Sequence, residues 1–153
     1  MRFGARLLLM FVLGYAFPAQ AQNALNTKGD NIVGTYQGVQ KNDKFKVKVT
    51  RQSDGTYKAQ IFWVEHDTDS DGKKILDEKN PDKSLRSTPC DRIVLFSGLQ
   101  YNEKEQCWDG TKIYDPHRGI RAKMKAWFTE DGRLCVKGTL LAFSESVYWE
   151  RLR

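Results

Sequence analysis

The sequence predicts an all-β protein: a single antiparallel up-and-down β-barrel of about eight strands with one long polar loop. Three observations carry this. Several segments alternate apolar and charged residues with period two, most regularly Lys44-Phe45-Lys46-Val47-Lys48-Val49 and Ile120 to Phe128. Turn-forming residues separate most of these segments. No segment keeps a helical period over three turns. Short strands joined by tight turns gain from closing on themselves, because closure removes the exposed edges that invite aggregation.

Residues 1–21 read as a secretory signal peptide. Arg2 and Arg6 precede the apolar run Leu7 to Phe17, and Ala19-Gln20-Ala21 is a small-x-small cleavage site. The run is short for a membrane helix. The expected product is cleaved near Ala21, starts near Gln22 and is periplasmic or secreted. Residues 22–30 are expected to be a flexible N-terminal segment and residues 31–153 the barrel domain.

A first strand is expected over Asn31 to Gly38 and a second over Lys44 to Val49. Ser53-Asp54-Gly55-Thr56 is a hairpin turn, after which Tyr57, Ala59, Ile61 and Trp63 continue the apolar face. Residues 66–90 are polar and too many for a plain turn. Within them, Pro81 to Arg86 can form a short helical turn capped by Asp77 or Asp82. Strands follow over Arg92 to Leu99 and Gln106 to Tyr114. In Asp115-Pro116-His117-Arg118-Gly119, Pro116 presets φ, Asp115 can bond back onto the turn, and Gly119 can take the left-handed conformation that closes it. Ile120 to Phe128, Leu134 to Phe143 and Ser146 to Leu152 complete the strands.

Lys and Arg number 25 against 19 Asp and Glu. Without Arg2 and Arg6 the balance is 23 against 19, a net charge of +4. This mild excess, on an exported chain, excludes a dedicated nucleic-acid binder. Cys90, Cys107 and Cys135 are an odd set in a compartment that permits disulfides. The hairpin register sets Cys107 opposite Trp127 and Trp127 opposite Cys135. Two strand spacings, about 9.6 Å, then separate those thiols, too far for a bridge. No disulfide is expected.

Several blocks together resemble a known family. They are Asp77-Glu78-Lys79-Asn80-Pro81-Asp82, Ser84-Leu85-Arg86, Trp108 to Gly119, Leu134-Cys135-Val136-Lys137-Gly138 and Trp149-Glu150-Arg151. In this order and spacing the chain, from Ile32 to Leu152, resembles the exported bacterial family called domain of unknown function 2147. The resemblance implies a lipocalin-like (calycin) barrel and no particular activity. Such barrels carry Gly-x-Trp on the first strand and an Arg on the last that closes one end across the indole. Gly34-Thr35-Tyr36 and Arg151 match, with Tyr in place of Trp, so Tyr36 and Arg151 are the expected closing pair, structural in role.

The residues expected to face the interior and bind a ligand are Tyr36, Phe45, Tyr57, Ile61, Trp63, Met124, Phe128, Leu140 and Trp149. Ala59, Ala122, Ala126, Gly138 and Ala142 among them leave room for a cavity. The first functional expectation is therefore an exported protein that binds a small apolar or amphipathic molecule inside the barrel. The alternative is a filled barrel whose outward Lys44, Lys46, Lys48, Lys123 and Lys125 touch an anionic envelope surface. An enzyme is the third reading and the thinnest. His66 and His117 are the only histidines, with Glu65 and Asp115 near them in sequence, and no nucleophile elbow, zinc motif or phosphate loop accompanies them. No catalytic residue and no cofactor are expected. One metal reading competes with an inert loop: Asp67, Asp69, Asp71 and Glu78 fit positions one, three, five and twelve of a calcium loop, with Gly72 at six. Lys74 at position eight and a strand before the loop argue against it. Nothing in the sequence sets the oligomeric state.

Overall fold

The computed structural model describes residues 22–153, so the signal-peptide reading of residues 1–21 lies outside the described residues. Nine strands follow one another: β1 (Gly34–Gln40), β2 (Asp43–Arg51), β3 (Tyr57–Val64), β4 (Val94–Asn102), β5 (Cys107–Asp109), β6 (Lys112–Asp115), β7 (Ile120–Phe128), β8 (Leu134–Leu140) and β9 (Phe143–Arg151). Their order is β5-β4-β3-β2-β1-β9-β8-β7-β6, and a bridge between Trp108 on β5 and Ala126 on β7 closes the barrel. Nine strands make eight staves. The expected strand Gln106 to Tyr114 is broken at Gly110, whose φ of 86° cannot continue a strand, and its halves are β5 and β6.

The turns set the register. Lys41 and Asn42, with φ of 50° and 66°, join β1 to β2 in the two-residue geometry that matches strand twist. In the β6–β7 turn, Asp115 Oδ1 accepts from His117 N at 2.9 Å, and Gly119, at φ 66°, donates its N–H to Asp115 O at 2.8 Å. The last hairpin differs from expectation. Its turn is Leu141-Ala142, so β8 stops at Leu140, β9 begins at Phe143, and Ala142 is a turn residue and not an interior one.

Before the first strand, Ala24–Asn26 and Gly29–Ile32 form two 3-10 turns tied to one end of the barrel. Asn26 Oδ1 accepts from Phe128 N at 2.7 Å and its Nδ2 donates to Phe128 O at 2.9 Å. Tyr101 Oη donates to Asn26 O at 2.6 Å and Trp108 Nε1 to Gly29 O at 3.0 Å. The second turn also explains why β1 starts at Gly34 and not at Asn31.

This plugged end holds the core. Trp108, Phe128, Tyr36, Leu99, Leu134 and Trp149 are fully buried there. Trp149 stacks on Phe96 with centroids 6.4 Å apart, and Trp108 meets Phe128 edge-on at 5.7 Å. Gly38 makes this packing fit: a Cβ there would lie 2.4 Å from Phe45 Cζ and 2.9 Å from Trp149 Cδ1. The cysteine register is the expected one, with Trp127 opposite Cys135 and β5 meeting β7 one residue along from Cys107. Cys107 and Cys135 therefore flank β7 from its two neighbours.

Candidate functional site: the open barrel mouth

The end opposite the plug is hollow. A cavity of about 730 Å³ opens between the β1–β2, β6–β7 and β8–β9 turns. Phe45, Ile61, Leu95, Ile113, Val136 and Val147 form its walls. Gly138 and Ala122 widen it, for a Cβ on Gly138 would meet Ala122 Cβ at 3.4 Å and Ile113 Cγ2 at 3.5 Å. The rim is polar. Gln40 donates to Asp115 Oδ1 at 3.1 Å, and Arg118 bridges Asp115 at 3.4 Å and Glu145 at 2.8 Å. Above the rim stands an apolar lip in which Leu141 is 91% and Phe143 81% exposed.

The expected ligand residues divide by height. Phe45, Ile61 and Leu140 line the cavity. Tyr36, Tyr57, Met124, Phe128 and Trp149 are buried in the core beneath it. Trp63 does neither. Phe45 pairs with Val64 and Lys46 with Trp63, but Val47 pairs with Ile61, so Phe62 is an inserted bulge residue. The bulge turns Trp63 to the outer face, where it is 38% exposed under the Lys46 ammonium, 4.8 Å from the ring centroid. Val64 takes its inward place opposite Phe45. Leu95, Ile113 and Val147 are wall residues that were not expected, whereas Val136, also on the wall, faces inward as its strand's alternation predicts. Val136 and Val147 sit on readable alternating strands; Leu95 and Ile113 carry no such signal.

The closing pair is present. Tyr36 and Arg151 are register partners, the guanidinium lies 5.0 Å from the Tyr36 ring centroid, and Nη2 donates to Tyr36 Oη at 2.8 Å. Arg151 also covers Phe128 at 5.3 Å and donates to Val33 O at 3.0 Å and to Asn31 O. One arginine thus joins β1, β7, β9 and the N-terminal plug. Burial pushes the Tyr36 phenol well above its usual range, against the lowering effect of Arg151. Tyr57, near the same end, is pushed up to about 12, by burial first and then by its hydrogen bond to Asp30.

The calcium-loop residues do not converge. Lys74 engages one of them: its ammonium bonds Asp67 Oδ2 at 2.5 Å and Asp91 Oδ2 at 2.7 Å. Asp69 Oδ1 accepts instead from Asp71 N and Lys73 N, both at 2.9 Å. Asp67, Asp69, Asp71 and Glu78 belong to no group of converging ligand atoms among the described residues. Asp43, Glu65 and His66 do converge, exposed at the outer rim, with His66 Nδ1 2.6 Å from Asp43 Oδ1. The partner of His66 is thus Asp43, across the β2–β3 pair, rather than the adjacent Glu65. The basic outer face also divides. β2 and β7 lie four staves apart, so their lysines point to opposite sides of the barrel, and Lys125 is neutralised by Glu105 at 2.6 Å.

An eight-stave antiparallel barrel, plugged at one end by an arginine clamp and hollow at the other, defines a lipocalin-like protein. The model of the family described as "uncharacterized protein conserved in bacteria (DUF2147)" matches residues 34–151, and the chain belongs to that family. Among solved structures it is similar to protein HP1028 of Helicobacter pylori, described as belonging to the lipocalin family. Identity is 22%, the TM-score is 0.60, and the match covers 79% of this chain and 82% of that one. That likeness is one of fold. Comparison with curated proteins gave no match.

Proposed function

We propose that this barrel binds one small amphipathic molecule, with its apolar part inside the mouth and its polar part at the rim. The supporting observation is the cavity itself, about 730 Å³ with aliphatic and aromatic walls under a charged rim. That size and lining are those of small-molecule sites. Apolar walls of this kind would face water if empty, and burying a chain against them is favourable by about 25 cal/mol per Å². The test is native mass spectrometry on protein purified from its exported compartment, before and after organic extraction. An extra mass that leaves with the solvent is expected. Gly138→Leu fills the cavity from β8 and is expected to remove that mass while the barrel stays folded. A bare polypeptide mass in both proteins would reject the reading.

A second reading rests on the lip. Leu141 holds φ at 55°, a conformation an ordinary residue adopts at a cost, and presents its side chain to solvent beside Phe143. This apolar edge, directly above the cavity, supports contact with a membrane surface from which such a ligand would be drawn. Flotation with phosphatidylglycerol vesicles is expected to carry the wild type and leave Leu141→Ser/Phe143→Ser behind. Equal flotation of both would exclude the lip.

A further inference from the structure

The wall of the barrel has a slit between β4 and β6. β4 pairs with β3 along one edge and joins β5 only from Gln100 onward, while β6 pairs with β7 alone. Over Val94 to Ser97 the other edge of β4 therefore has no strand partner among the described residues. Thr111 spans the gap at one point, its Oγ1 donating to Ser97 O at 2.7 Å. The slit opens into a cleft of about 440 Å³, separate from the barrel mouth and roofed by residues of the 66–90 loop.

Two features make this cleft a built site. Its roof is held by a buried polar cluster. Asp77 is 4% and Asn80 2% exposed, Tyr114 Oη donates to Asp77 Oδ1 at 2.6 Å, and Asn80 Nδ2 donates to Asp77 Oδ2 at 2.7 Å. Both carboxylate oxygens are thereby committed. Its rim carries Arg92, Lys112 and Arg121, which form no ion pair among the described residues. Arg121 lies on the Tyr114 ring at 5.0 Å and also feels the charge of Asp82, whose Oδ1 accepts from Ser84 N and Oγ at 2.9 and 2.7 Å, so Arg92 and Lys112 are the less engaged cations. Leu85 on the roof and Val94 on the wall give the cleft an apolar surface, backed by the buried Ile93 and Phe96.

We propose that the cleft is a second binding site, for a small organic anion with an apolar body. The body lies against Leu85 and Val94. The anion faces the three cations, and the unpaired edge of β4 offers backbone donors to it. Anilinonaphthalene sulfonate, an aromatic sulfonate that fluoresces when shielded from water, is the probe. The wild type is expected to bind it at the cleft, with or without further binding at the mouth. Arg92→Glu/Lys112→Glu is expected to weaken the cleft site by about tenfold, and Arg92→Lys/Lys112→Arg to retain it. Both positions are exposed, so near-ultraviolet circular dichroism should not change. Gly138→Leu, which fills the mouth, should leave the cleft site intact. The proposal is overturned if the charge-reversed protein binds as the wild type does, or if the wild type binds no probe. A loss seen only in Gly138→Leu would leave the mouth reading standing and remove this one; a loss seen only in the charge-reversed variant is the expected result and leaves the mouth to its own mass-spectrometric test.

Discussion

His66 and His117 both feel Asp43, yet they depart from the ordinary imidazole value in opposite directions. The hydrogen bond that His66 donates to Asp43, and then the charge of Asp43, holds His66 above that value, while burial and then Lys41 push His117 below it. The sign of each contribution to stability follows. For His66 it is complete below the unfolded-state value of about 6.5 and is lost as pH rises through the higher folded value. For His117 stability is complete above about 6.5 and is lost as pH falls through the lower folded value. An NMR titration of the two imidazoles should give midpoints on either side of the ordinary value, with Asp43→Asn returning His66 toward it. A shared midpoint would contradict the geometry. At this scale the sequence speaks unevenly. Tyr36 and Arg151 could be paired only through the resemblance to lipocalin-like barrels, which carry Gly-x-Trp on the first strand and an Arg on the last. Trp63 could not be placed, because a bulge at Phe62 adds one residue and reverses every later side chain while leaving the alternation of residue types intact.

The 66–90 loop is the element whose structure the sequence hides most. Its local pieces were readable: Asp82 does cap the 3-10 turn Lys83–Leu85, accepting from Ser84 N at 2.9 Å. Its anchors were not, since they lie far along the chain. Tyr114, 37 residues from Asp77, reaches the loop from β6, and Lys79 donates to His117 O at 2.8 Å. Gly119 completes the seam. A Cβ there would stand 2.3 Å from Lys79 O, so the loop packs directly on the β6–β7 turn backbone. Burial and then Asp77 push the Tyr114 phenol far above its usual range, so the hydroxyl remains a donor throughout the working pH range. Tyr114→Phe removes that donor and leaves a buried carboxylate oxygen without it. The expected cost is roughly 1–3 kcal/mol in urea denaturation. Hydrogen exchange should also quicken over residues 77–88, and the other hairpins should keep their protection. Unchanged exchange there would mean that Asp77 does not hold the loop.

The whole molecule divides its tasks between two ends. Strand count and turn spacing alone left a closed barrel or a strongly curved sheet, and the family resemblance pointed to the closed one, which buries short amphipathic strands without edges. Which end would be filled was not readable, since inward residues from both halves look alike in sequence. The difference comes from residues 22–32, polar enough to be read as loose, whose asparagines satisfy the backbone groups where β7 ends. Asn26 alone bonds Phe128 through both its N–H and its carbonyl. Asn26→Ala should therefore cost about 1–3 kcal/mol by stranding the Phe128 N–H at the plugged end, while the Phe128 carbonyl keeps Asn23 Nδ2 at 2.9 Å. It should not change the mass of any extractable ligand, because the cavity walls lie at the other end and share no residue with this contact. Gly138→Leu should do the reverse, with occupancy lost and stability nearly kept. Measuring urea midpoint and native mass on both variants gives a two-by-two outcome. If Asn26→Ala also empties the barrel, the plug controls the cavity and the ends act as one unit. If occupancy survives, stability and binding are built into opposite ends of the same eight staves.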